Sequence, residues 1–351
     1  MLLNAISLLC VVLIGFAAHR ASLCNVRAVA EVLSAGRAHM LWSLLQSVLW
    51  MAALTGMLVL VFGLTPRATL NRVPVGWALL GGALFGVGAA VNGGCSLSTL
   101  HRLADGDLGM LATLAGFILG VWASLRVLSG GLAMSLAPSM SPWLRWPALA
   151  PWVGGLLLAW AAWQARSLWQ LGRQSTNVSL RQRLLSPTYH LSVAAALMGV
   201  AAGLLYATQG AWSYSNFLRT EVLHRVSDAA APSTWHGVLV AGLLAGMFGS
   251  ALERGWPAWR QPQRLAAWAR HAGGGAVMGL GAAVVPGGND TLLLGGLPSL
   301  AVGAVGAYLS MLLGIASVLL VMRLARVPMP AIACSAEGCE ERPASPAGGE
   351  P

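Results

Sequence analysis

The sequence predicts an all-α integral membrane protein. About nine transmembrane helices form two inverted, pseudo-symmetric halves, each interrupted by a broken, re-entrant half-helix. Three observations predict this. Of 351 residues, 57% are hydrophobic and 9% charged, whereas a soluble domain carries about 25% charged residues. Uncharged apolar runs recur along the chain, with a mean hydropathy of +0.70 overall. A pattern of about 40 residues occurs twice. This composition excludes a soluble enzyme, a disordered protein and a DNA-binding domain. All 21 basic residues are arginine, and they lie in short gaps between apolar runs. That is a topology signal and predicts no nucleic-acid partner.

The runs lie near Leu2–Ala18, Met40–Leu64, Gly76–Val91, Leu108–Leu125, Ala148–Ala165, Leu191–Ala207, Trp235–Leu252, Ala272–Pro286 and Leu300–Met322. A full crossing of the lipid bilayer takes about 20 residues. Gly76–Val91 and Ala272–Pro286 are short, and each stops at a glycine pair. No charge precedes Arg20; a signal peptide carries its charge first, so the first run reads as a retained span. With nine spans, the gaps after spans one, three, five and seven, with the tail, hold fifteen arginines against six on the other side. Basic residues gather on the cytoplasmic side, which puts the N-terminus outside and the C-terminus in the cytoplasm. Residues 1–328 read as one transmembrane domain: repeat 1 over about 1–128, a linking span at about 148–165 and repeat 2 over about 190–323. Residues 329–351, rich in Pro, Ala, Gly and Glu, read as a disordered cytoplasmic tail with two incidental thiols, Cys334 and Cys339.

The repeat carries the functional argument. Gly81-Gly82-Ala83, Gly86 and Gly88-Ala89-Ala90-Val91 match Gly274-Gly275-Ala276, Gly279 and Gly281-Ala282-Ala283-Val284. After one inserted residue, Gly93-Gly94 match Gly287-Gly288. Five spans separate the two starts, so the copies enter the membrane from opposite sides, an arrangement typical of transporters. Asn92-Gly93-Gly94 and Pro286-Gly287-Gly288 interrupt a helix, because proline lacks a donor and glycine has high backbone entropy. Short helices are expected near Ser96–Leu103 and Thr291–Leu297. Irregular backbone at that depth survives beside protein or a water-filled path, so the two breaks are expected to meet and line one passage. Gly76, Gly116, Gly120 and Gly314 read as helix-packing glycines.

Cys95 follows Gly94 and begins the first half-helix, where free N–H groups attract anions and favour thiolate. Cys24, in His19-Arg20-Ala21-Ser22-Leu23-Cys24-Asn25-Val26-Arg27, is expected at the inner mouth, with Arg20 or Arg27 drawing anions. Its competing reading is a cytoplasmic surface helix. His101 and Arg102 fall on the first half-helix or its exit; a lone histidine usually satisfies an interior site. Tyr206–Phe217 reads first as an interfacial aromatic belt, and otherwise as the outer mouth. Cys10 reads as an inert filler.

These residues resemble the YeeE/YedE-type family of bacterial membrane proteins that take up thiosulfate and related sulfur compounds. The resemblance rests on Arg20-Ala-Ser-Leu-Cys24, on Gly93-Gly94-Cys95 with Gly106, Gly109 and Gly120, and on Gly287-Gly288-Asn289, over about residues 10–325. It implies an hourglass of nine spans in the bacterial inner membrane. It implies a passage in which cysteines at the waist hand on a small sulfur-containing anion, with Gly94 and Gly288 shaping the turns. It places Cys24 and Cys95 at two family cysteines. Asn289 stands where a third is usual; its amide can donate hydrogen bonds to an oxyanion but is no thiol. Asp290 follows, read first as a helix N-cap and otherwise as a protonatable group in the path. No cofactor is implied. A small cytoplasmic TusA-like sulfur carrier is the implied protein partner. The alternatives are an intramembrane sulfurtransferase using a Cys95 persulfide and a carrier of a selenium compound or other sulfur anion.

Overall fold

The computed structural model describes residues 2–63, 67–68, 75–127, 139–140, 142–174, 189–227, 230–255, 257–327, 331–335 and 338–342. Every one of the nine apolar runs is helical. α1 (Leu2–Ala21) ends where Ser22 takes a positive φ of 49°, and α2 (Asn25–Ala35) starts directly after Cys24. α3 (His39–Phe62) is capped by the buried Glu31 carboxylate, which accepts the N–H groups of His39 at 3.1 Å and Met40 at 2.9 Å. A helix start leaves such donors without partners, and Glu31 satisfies two of them. α4 (Val75–Asn92) runs to the first glycine pair, α5 (Ser96–Ala104) follows it, and α6 (Gly109–Val127) comes next. The single turn α7 (Pro142–Arg145) precedes α8 (Ala150–Gln174). The second half holds α9 (Leu191–Gln209), α10 (Tyr214–Val226), α11 (Thr234–Arg254), α12 (Leu265–Val284), α13 (Asn289–Gly296) and α14 (Val302–Leu324). α13 opens with an α-helical turn and continues over Leu292–Gly296 as a wider π-helical turn.

The chain is an all-α membrane protein. Among the described residues, seven helical stretches are long and apolar enough to cross a bilayer, and α12 with α13, bent by 41° at their break, adds an eighth if the pair counts as one span. α8 matches the run expected at Ala148–Ala165 but is not among them, since it carries Gln164, Arg166, Gln170 and Arg173.

Packing places the site. α4 packs on α12, with α6 on α12 and α14 on α4. α1 packs on α9, with α11 on α1 and α3 on α9. Exchanging α1 with α9, α3 with α11, α4 with α12 and α6 with α14 leaves this set of pairings unchanged. α8 stands outside it, against α3. The seam between α4 and α12 is made by the repeated glycines. A Cβ on Gly281 would stand 2.6 Å from the Gly81 carbonyl oxygen, and one on Gly88 would stand 2.6 Å from that of Gly274. Hydrogen is the only substituent that fits, so small residues let the two backbones touch. Gly116, Gly120 and Gly314 also face a neighbouring backbone, as expected; Gly76 does not, because the space beside it is open to 4 Å.

α1 and α11 are tied by buried polar groups. His19 lies 2.9 Å from Ser250 Oγ through Nδ1 and 3.0 Å from Asp105 through Nε2. Arg20 donates to Ser250 at 2.9 Å and to Glu253 at 2.6 Å. Short strands complete the described residues. β1 (Arg67–Ala68) pairs with β2 (Ser139–Met140). In the segment read from sequence as a disordered tail, β3 (Ala331–Ser335) pairs antiparallel with β4 (Gly338–Arg342), which sets Cys334 opposite Cys339. The rest of that segment lies outside the described residues.

Candidate functional site

α4 and α12 both end at their glycine pairs. Gly93 has φ 78° and Gly287 φ 107°, values that suit glycine alone. Gly94 N–H donates to the Ala89 carbonyl at 2.9 Å and Gly287 N–H to that of Ala282 at 3.0 Å, so each helix closes with a wide terminal turn. The buried Asn92 fixes the first break. Its Nδ2 donates to the Gly94 carbonyl at 3.0 Å and to Thr99 Oγ1 at 3.3 Å, while Oδ1 accepts from Thr113 at 2.7 Å and faces His271 Nδ1 at 2.8 Å. Past each break a new helix starts inside the protein, with Cys95 just before α5 and Gly288 just before α13.

These two starts meet. Ser96 Oγ is hydrogen-bonded to Asn289 Oδ1 and lies 3.2 Å from Asp290 Oδ1. The α1–α2 turn brings in Cys24, whose thiol lies beside the Cys95 thiol, the Ser98 side chain and the Arg27 backbone. Cys95 also touches the Asn25 backbone. Cys24, Cys95, Asn289 and Asp290 are each no more than 2% exposed. Cys24 is thus deeper than the mouth expected for it, and α2 is no surface helix: Asn25, Val26, Ala28 and Glu31 are buried.

The α9–α10 turn closes the opposite side. Tyr214 Oη donates to the Ser96 carbonyl at 2.6 Å, and the Ser213 and Thr291 hydroxyls stand 2.5 Å apart. Ser215 Oγ accepts from Gly288 N–H at 2.7 Å and is hydrogen-bonded to Asp290 Oδ1, while Ser215 N–H donates to Asp290 Oδ2 at 3.0 Å. Two expectations are corrected here. Trp212–Ser215 are buried against the second break and form no lipid-facing belt. Asp290 makes no N-cap bond; its carboxylate ties α13 to α10 and α5.

A cavity of about 750 Å³ reaches Cys24 and Ser98. Arg27, Arg102, Arg260 and Arg270 line it against only two carboxylates, Asp105 and Asp107, so its field favours anions. Arg102 pairs with Asp107 at 2.7 Å. The 105–108 turn is held to the 258–260 strand-like segment, with Arg260 N–H donating to Gly106 at 2.8 Å and Leu108 N–H to Arg260 at 2.9 Å. Burial pushes the Asp105 carboxyl up, but the hydrogen bond and charge of His19 outweigh this and hold it below the ordinary aspartate range. His101 is on this wall, 3% exposed, and its Nε2 has no hydrogen-bond partner; nor has Nδ2 of the fully buried Asn25, whose Oδ1 accepts from Tyr308 at 2.8 Å. Buried polar nitrogens are normally paired, so these two are donors or acceptors with capacity to spare beside the site.

The structure therefore brings together Cys24, Cys95, Asn289, Asp290, Gly94 and Gly288, and sets Arg27 and His101 along the approach to them. It adds Asn25, Ser96, Tyr214 and Ser215. Among the described residues, no group of His, Cys, Asp and Glu is gathered to hold a metal ion.

Buried thiols and hydroxyls at the end of a basic cavity, in a bundle of membrane-length helices, define a multi-pass membrane protein of the transporter class. The sulphur transport family profile matches residues 20–317, and the chain belongs to that family, the YeeE/YedE family. The thiosulfate transporter TsuA of Spirochaeta thermophila is 24% identical over 275 residues, covering 67% of this chain and 74% of that protein.

Proposed function

We propose that the protein takes up thiosulfate across the bacterial inner membrane, with its N-terminus outside and its C-terminus in the cytoplasm. One observation carries this reading: the basic cavity ends on the Cys24 thiol, which lies beside the buried Cys95 thiol where two broken helices converge. Thiosulfate has a terminal sulfur that accepts S–H bonds and oxygens that accept N–H and O–H bonds. The thiol pair suits the first. Asn25 Nδ2, His101 Nε2 and the Asn289 amide suit the second. The anion arrives from the α9–α10 side, takes S–H bonds from the two neighbouring thiols, passes from Cys95 to Cys24 and leaves through the arginine-lined cavity. Each contact is weak and several act in series, which allows binding without trapping.

The exchangeable helix pairings support two inverted halves, about 1–128 and 190–323, with α8 as a linking span. The four cavity arginines come from three separate gaps that the arginine count assigns to the cytoplasm, which supports the orientation. A TusA-like sulfur carrier meeting that side would receive the anion. Uptake of labelled thiosulfate by proteoliposomes, compared with sulfate, sulfite and selenite, tests the proposal. Thiosulfate should enter fastest and sulfate, which has no terminal sulfur, slowest. Equal rates for the two would remove the role of the thiols.

A further inference from the structure

Asp290 poses a problem for an anion path. It is 2% exposed, it stands where the two half-helices meet, and none of the ion pairs among the described residues includes it. Its neighbours are hydroxyls, amides and one thiol: Ser96, with Cys95 beside it, on the α5 side; Tyr214 and Ser215 on α10; Asn289 and Thr291 on its own helix. An ionised carboxylate there would repel a dianion passing between the two half-helices.

The hydrogen count points the same way. Ser96 has one hydroxyl hydrogen and two oxygen acceptors in reach, Asn289 Oδ1 and Asp290 Oδ1. Ser215 cannot make up the difference at Ser96, because its own hydrogen goes to Asp290 while its oxygen accepts from Gly288. A proton on Asp290 completes the chain: Asp290 O–H donates to Ser96 Oγ, and Ser96 O–H donates to Asn289 Oδ1. Turning the Asn289 amide end for end would also balance the count, without a proton, and measurement separates the two.

We infer that Asp290 takes up and releases a proton with each anion, so that transport is proton-linked. On the outer side the carboxylate binds one proton as the anion reaches Ser96 and Asn289. On the inner side the O–H bond breaks and the proton leaves with the anion. One proton and one dianion cross per cycle, no electron moves, and one net negative charge is carried inward. This rests on the thiosulfate reading and names the coupling of the same site.

The test uses the full chain in proteoliposomes loaded with a pH dye. Adding labelled thiosulfate outside should acidify the interior by about one proton per anion, and an acid exterior should speed uptake. In Asp290→Asn, gradient-driven accumulation and acidification should disappear together, while Asp290→Glu restores both. Wild-type uptake without any internal pH change would overturn the inference and leave the transport reading intact, as would Asp290→Asn that still acidifies the lumen. Wild type that takes up no thiosulfate under any gradient would remove both.

Discussion

Replacing Cys95 with alanine probes the waist most directly. The side chain is 1% exposed and its thiol lies beside that of Cys24. Alanine removes one donor where the two half-helices meet and leaves the Cβ in place. A hydrogen bond to a charged group contributes about 1.5–3 kcal/mol. A factor of ten corresponds to about 1.4 kcal/mol, so the initial rate of thiosulfate uptake should fall about ten- to a hundredfold. The fold loses only one weak S–H bond and the burial of one sulfur, about 1 kcal/mol, so the melting temperature in detergent should move by a few degrees at most. Cys95→Ser keeps a donor of the wrong softness and should fall between the two. The assay is labelled uptake into proteoliposomes at matched protein content, with the melting curve as control. An alanine variant that inserts fully and transports at the wild-type rate would refute the relay.

Four other substitutions, one of them a control, test separate parts of the structure. Gly281→Ala puts a methyl group 2.6 Å from the Gly81 carbonyl and should lower stability by about 1–3 kcal/mol or more, seen in thermal unfolding, whereas Gly76→Ala, with open space around it, should leave the midpoint unchanged. Arg270→Gln removes one charge from the cavity lining and should slow uptake about two- to fivefold at low salt, with the difference shrinking as salt screens the field; salt independence would count against a collecting role. Asp105 is held below its ordinary range by His19, so its contribution to stability is complete above the unfolded value and is lost as pH falls through the folded one. Asp105→Asn should therefore be less stable at neutral pH and lack that acid loss, as read from melting temperatures between pH 7 and 3; identical pH profiles would contradict the assignment.

The helices were legible because the bilayer allows so few alternatives: apolar runs and glycine pairs located nine helices and both breaks. The breaks came from backbone chemistry, which is local and therefore written in adjacent residues. Cys95 is legible for the same reason, whereas Asn289 comes from the resemblance to the family pattern. What the sequence does not show arises at long range. Ser96 is the first residue of α5, and its importance appears only when Asn289, 193 residues away, meets it. Ser213, Tyr214 and Ser215 read as part of an aromatic belt because Trp and Tyr favour interfaces; the sign against it is three polar groups in a row at a helix start. Cys24 reads as shallow because Arg20 and Arg27 beside it suggest surface. Arg20 instead reaches Ser250 and Glu253, pairings across at least 230 residues that no spacing reveals. Asp290 looked like a cap because aspartate favours that position, yet Gly288 holds the cap and the carboxylate serves another helix.

The glycine seam between α4 and α12 limits how the molecule can move. Sliding one helix along the other would move Gly88 and Gly281 off the Gly274 and Gly81 carbonyls they now face, and a residue with a Cβ in either place would clash. Shear along this seam is thereby disfavoured. A relay through thiols and hydroxyls would need only side-chain torsions, motions of nanoseconds rather than milliseconds. Substrate should then leave the backbone amide-exchange pattern of these two helices almost untouched, even at full turnover.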